Sequence, residues 1–212
     1  MKPHILNLCL AAALSSVTLH AQNLVTNGDF ESGSGTAFYQ TPPWYNCGAG
    51  FNQGANARSD KGAVITGDYS AAVIDRYNTT ENKGGPVCYV QKTNYKIEKG
   101  DSFALSYSWR PADKYWQASK DTVRFVLFAT ANDKVGGSVI WSSELTSDFY
   151  TGKAGAPMAV TATTDVVNDE AVGAVLFVKF YGIDTGDSES GEPHWALVDN
   201  IEVSAVKGSA AP

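Results

Sequence analysis

Histidine, cysteine and methionine are scarce in this chain, with three, three and two residues among 212. Beyond the first 21 residues the only histidine is His194, so a histidine-based triad or a multi-histidine metal centre has little to draw on. No Gly-x-Ser-x-Gly elbow and no Glu-x-Asp-x-x-Glu pattern occurs. Serine hydrolases and paired-carboxylate glycosidases therefore lack their usual signatures here. Long apolar runs are missing too, since nothing approaches the roughly 18 apolar residues of a spanning helix. No segment has convincing helical periodicity, and no repeat or long linker divides the chain.

The first 21 residues carry one lysine, an apolar run from Ile5 to Leu14 and a small-residue cleavage site at Leu19-His20-Ala21. They read as a signal peptide, and export to the periplasm or the extracellular space is the expectation. Cys9 lacks the small-residue context of a lipid attachment site. Without this segment the chain keeps 15 basic residues against 22 acidic ones, a net charge of −7. That balance argues against nucleic acid or an anionic membrane as partner. Residues 22–206 suffice for one β-sandwich domain, a monomer is expected, and 207–212 read as a disordered tail. The two remaining cysteines, Cys47 and Cys88, suit one disulfide in an exported protein. The bridge would close a loop of about 40 residues and constrain the unfolded chain by roughly 3 to 4 kcal/mol.

Segments rich in Val, Ile, Phe, Tyr and Thr recur between Gly, Asn and Asp clusters. They predict strands at 63–66, 71–76, 87–92, 102–110, 122–130, 138–145, 158–164, 172–181 and 194–204. This spacing means an all-β, antiparallel sandwich or jelly roll. Phe103, Leu105, Tyr107 and Trp109 alternate with small or polar residues, giving one core face. The segments 122–130 and 172–181 are apolar on both sides but polar at intervals on one. Arg110, Arg124, Phe128, Lys179 and Tyr181 are thus candidates for a ligand groove on a sheet face, where aromatic planes and fixed donors suit sugar rings. The alternative is a loop-covered satellite core.

Asn27-Gly28 is a turn dipeptide, so a short first strand should end there. If first and last strands lie side by side, Asp29, Glu31 and Asp199 converge and need a cation or protons. Asp199 and Glu202 in the last strand are expected to point oppositely. Among aromatics in polar loops, Tyr115 and Trp116 are the favoured contact residues, with Trp44 and Tyr45 after Pro42-Pro43 as further candidates. Trp109, Trp141 and Trp195 read as packing residues. Asp184, Asp187, Glu189 and Glu192 share one loop without EF-hand spacing and read as solvated.

The opening Asn23-Leu-Val-Thr-Asn-Gly-Asp-Phe-Glu31, the segment Gly67-Asp-Tyr-Ser-Ala-Ala-Val73, the strand Phe103-Ala-Leu-Ser-Tyr-Ser-Trp-Arg110 and the closing Leu197-Val-Asp-Asn-Ile-Glu-Val203 resemble carbohydrate-binding modules of the family 4, 9 and 22 type. The resemblance implies a galactose-binding-like jelly roll, non-catalytic binding of a polysaccharide or glycan, and a site in a sheet-face groove or in the edge loops. It also implies a structural calcium ion held by Glu31 and Asp199, with Asp29 and backbone oxygens near Gly67 and Asp68 adding ligands. A structural or adhesive surface protein with the same fold and no sugar pocket is the competing expectation, and an enzyme a further one.

Overall fold

Period-two alternation and β-branched or aromatic residues produce ten strands in the computed structural model, which describes residues 22–32, 43–46, 57–58, 64–74, 88–112, 121–153, 155–183 and 195–207. In chain order they are β1 (Tyr45–Asn46), β2 (Ala57–Arg58), β3 (Ser70–Ile74), β4 (Cys88–Lys96), β5 (Asp101–Pro111), β6 (Thr122–Thr130), β7 (Val139–Thr146), β8 (Met158–Thr163), β9 (Val175–Ile183) and β10 (Trp195–Lys207). One sheet runs β1-β4-β9-β6-β7 and the other β2-β3-β10-β5-β8, and every ladder is antiparallel. The result is the two-layer jelly-roll sandwich expected. No helix among the described residues is long and apolar enough to cross a membrane.

The inner faces meet where alternation predicts. Phe103, Leu105, Tyr107 and Trp109 of β5 face Val123, Phe125, Leu127 and Ala129 of β6 and Leu176, Val178 and Phe180 of β9 in one core. Phe180 stacks on Tyr89 at 4.6 Å and on Phe125 at 5.1 Å, with Trp44 edge-on at 5.2 Å. The buried Tyr89 hydroxyl donates to the Ala72 carbonyl at 2.6 Å, tying one sheet to the other.

Several boundaries differ from the expectation. The opening residues 22–26 make no strand, although they do lie beside the last one, with the Leu24 N–H donating to the Val203 carbonyl at 2.7 Å. On the other side Gln91 of β4 clasps Thr26 through its N–H and its carbonyl, at 2.8 and 2.9 Å. Residues 64–66 form a bend, not a strand: the Thr66 N–H and hydroxyl go to Asp199 and the Ile65 N–H to the Ser70 hydroxyl. β9 starts at Val175, not 172, since a 3-10 turn at Asp169–Ala171 and Gly173 at φ +86 precede it. Lys207 ends β10 instead of opening a tail, its ammonium bridging Glu98 and Asp101. The predicted signal peptide, Cys47, Tyr115, Trp116, the acidic loop, His194 and 208–212 lie outside the described residues.

Candidate functional site

Antiparallel register sorts the groove candidates, because directly opposed residues project to the same side of a sheet. On the outer face of the first sheet, one transverse row is Tyr45, Val90, Lys179, Val126 and Glu144. A second row is Cys88, Tyr181, Arg124 and Thr146, and a third is Lys92, Phe177, Phe128 and Ser142. Arg124, Lys179, Tyr181 and Phe128 thus share a face as the sequence predicts. Arg110 does not join them. It belongs to β5 in the opposite sheet, where its guanidinium donates to the Val64 carbonyl at 3.4 Å. Alternation gives its face correctly but cannot say which sheet carries it.

The face has a dry end and an accessible end. Phe128 and Phe177 stack at 5.1 Å and form a small apolar cluster with Val90 and Val175. An ion pair between Lys92 and Asp133 at 2.9 Å joins β4 to the β6–β7 turn above that row. Groove and satellite core, alternatives in the sequence, both exist here, side by side. Against these stacked aromatics lies a depression of about 510 Å³, lined by Val90, Val126, Phe128, Lys179 and Glu144 and walled by the turn at Val135. That volume is in the range of ligand sites. Tyr181 carries Lys179 over its ring at 5.1 Å and Arg124 at 5.9 Å. Arg124 also donates to the Tyr181 hydroxyl at 3.3 Å and pairs with Glu144 at 3.2 Å. Tyr45 stands at the β1 edge, 52 % exposed. A smaller depression on the opposite sheet, about 210 Å³, is lined by Ala104, Ser106, Thr161, Thr163 and Glu202 and has no aromatic wall.

Trp44 is a correction. It is fully buried against Phe30 and Phe180, and its indole N–H donates to the Asn27 carbonyl at 2.9 Å. Its neighbour Tyr45 points the other way because β1 is pleated. Trp109 is a core residue and Trp141 packs against the same core, as predicted. Val90, Val126, Phe177 and Glu144 line this face but are not singled out by sequence reasoning, although the two-sided apolarity of 122–130 and 172–181 is the signal for Val126 and Phe177.

The three expected calcium ligands do not form one carboxylate cluster. Glu31 accepts the backbone N–H groups of Asp68 and Tyr69 at 3.0 and 3.1 Å. Gly67, at φ +58, wraps so closely around it that a Cβ there would sit 2.2 Å from Oε1. Asp199 is fully buried. Its Oδ2 accepts from the Ser70 and Thr66 hydroxyls at 2.9 and 3.0 Å and from the Thr66 N–H at 3.2 Å, while Oδ1 accepts the Asn200 N–H at 2.7 Å. Burial pushes its carboxyl pKa up, against the Ser70, Asn200 and Thr66 hydrogen bonds that hold it down. Asp29 is exposed. Calcium wants six to eight oxygens, whereas these carboxylates are spent on N–H and O–H donors. Among the described residues no three His, Cys, Asp or Glu side chains are grouped to hold a metal, so the set does not fit a preformed calcium site.

Asp199 and Glu202 do not point oppositely. A bulge between them shifts the register, so they face Ser108 and Ser106 on one side of the sheet. Cys88 heads β4, buried and not a free thiol.

The architecture is a jelly-roll sandwich that solved proteins of different activities share. Solved structures with the same fold include the CBM22-1–CBM22-2 tandem domain of Paenibacillus barcinonensis Xyn10C, at 12 % identity and TM-score 0.50, covering 91 % of this chain and 48 % of that one. The enzymatically active domain of bacteriophage CBA120 tailspike protein 4 aligns at 13 % identity and TM-score 0.52, over 87 % of this chain and 21 % of the other. The Stig cyclase Fisc from Fischerella sp. TAU, in complex with (3Z)-3-(1-methyl-2-pyrrolidinylidene)-3H-indole, aligns at 12 % identity and TM-score 0.53, over 88 % and 98 %. The chain thus spans about a fifth of the tailspike structure and about half of the tandem one. At such identities the likeness is one of fold. No family model and no curated protein matches the chain.

Proposed function

We propose that the protein is an exported, monomeric, non-catalytic module that binds a polysaccharide or glycan on the outer face of the β1-β4-β9-β6-β7 sheet. One observation carries this: an apolar floor, an aromatic ring fixed by two cations and an exposed tyrosine rim stand on one face beside a depression of ligand size. A pyranose offers a C–H face to such a ring and hydroxyls to the polar rim. Tyr115 and Trp116 remain proposed loop contacts. Export rests on the leader-like residues 1–21. Binding is favoured over catalysis because Asp199, one of the two acids sharing a face, is buried and held by its hydroxyl and amide donors.

The test is affinity electrophoresis of the mature protein through gels containing a panel of polysaccharides. Tyr45→Ala and Tyr181→Ala are expected to lose retardation. Tyr45→Ala should keep stability within about 0.5 kcal/mol, as an exposed site does. Wild-type protein that runs unretarded through every polymer would move the assignment to a structural or adhesive surface protein.

Two further proposals concern the scaffold. The Cys47–Cys88 bridge is supported by register, since Asn46 opposes Tyr89 and the next residue on either side is one of these cysteines. The closure by Glu31 and Asp199 is proposed to work without calcium. Melting temperatures in calcium and in chelator are therefore expected to coincide, and a clear rise with calcium would restore the metal site.

A further inference from the structure

Resting on the sheet-face site just proposed, we infer that its ligand is an anionic glycan whose acidic group is met by Lys179. Five charged side chains have been placed on or beside this face, and four of them cancel in pairs. Arg124 is committed to Glu144 and to the Tyr181 hydroxyl, and Lys92 to Asp133. Lys179 is left without an ion pair among the described residues. It stands on the central strand β9, between Val90 and Val126 in its row, and lines the depression. Its neighbours in the row are both valines, so no anion stands directly beside it. What it does meet is the face of Tyr181, at 5.1 Å.

The geometry joins the two recognition elements an acidic pyranose needs. Tyr181 supplies an aromatic plane, and Lys179, 5.1 Å from its centroid, supplies a point charge for a substituent carried on a sugar ring beside it. Arg124 acts as a positioning residue, fixing the tyrosine by its hydroxyl. In a chain of net charge −6 an uncancelled cation on one sheet face also localises an anion that the rest of the surface repels. Carboxylate and sulfate share this chemistry, and the assay separates them.

Affinity electrophoresis is run against polygalacturonate and its fully methyl-esterified form, and against dextran sulfate and dextran. Retardation is expected with at least one anionic polymer, weaker with its neutral counterpart, and reduced by added salt. Lys179→Gln should weaken binding to the anionic polymer by about tenfold or more, the factor one charge-assisted hydrogen bond carries, and weaken binding to the neutral form by much less. The melting temperature of the variant is measured alongside, and Lys179→Arg, which keeps the charge, should retain most of the binding. Equal retardation by neutral and anionic forms, or no effect of Lys179→Gln, overturns the anionic preference while leaving the sheet-face site standing. Loss of all binding on Tyr181→Ala with none on Lys179→Gln likewise overturns the anionic preference alone. Absence of retardation by every polymer overturns both.

Discussion

Trp44→Ala is expected to lower stability by about 3 to 5 kcal/mol, the usual cost of truncating a fully buried tryptophan. The indole fills the space between Phe30 and Phe180 at centroid distances of 5.7 and 5.2 Å. Phe180 in turn stacks on Tyr89 and Phe125. Removing the ring opens a cavity at the meeting point of β4, β6 and β9, and it leaves the Asn27 carbonyl with the longer Phe30 N–H bond at 3.3 Å in place of the indole bond at 2.9 Å. A melting-temperature drop on the order of 10 °C follows for a domain of this size. Denaturant unfolding of Trp44→Ala beside Trp44→Phe measures it, the phenylalanine variant recovering part of the loss. Unchanged stability with abolished glycan binding would instead make Trp44 a ligand platform.

Gly28→Ala should be nearly as damaging, at about 3 kcal/mol, although it adds a single methyl group. A Cβ at position 28 would lie 2.1 Å from the Ile201 carbonyl oxygen, and backbone cannot rotate away as a side chain can. The Ile201 N–H also donates to the Gly28 carbonyl at 3.0 Å, so separating the two segments breaks that bond as well. The loss spreads to Glu31, three residues on, which caps the turn at Asp68 and Tyr69. Equilibrium unfolding in urea checks the figure. A Gly28→Ala protein within about 0.5 kcal/mol of wild type, as at an ordinary surface site, would mean that the two segments separate freely.

The same dipeptide shows how far the sequence can be read. Asn27-Gly28 announces a turn because both residues accept positive φ, yet it is Asn27 that takes φ 52, while Gly28 is needed for close approach. Within single strands alternation is a sound guide. Val123, Phe125, Leu127 and Ala129 reach the core, and Arg124, Val126 and Phe128 the outside. Between strands it is silent, so it groups Arg110 with residues of the other sheet. It also fails where parity breaks. The bulge at Asp199 to Glu202, with Asn200 at φ 53, puts Val198 and Val203 on the same side although they differ by an odd number of positions. Trp44 and Tyr45, adjacent aromatics after a Pro-Pro pair, look alike in sequence. Only the pleat of β1 separates the core residue from the surface one.

The transverse row Tyr45, Val90, Lys179, Val126 and Glu144 draws on five different strands. Neighbouring strands are about 4.8 Å apart, so the row extends over roughly 19 Å while its members are scattered through the chain. Val90 and Val126 pack in one apolar cluster, whereas Tyr45, Lys179 and Glu144 carry side chains outside the main core and can change separately. The exposed chemistry of this face is therefore modular: it can be rewritten one strand at a time, at Tyr45, Lys179 or Glu144, without disturbing the layer beneath.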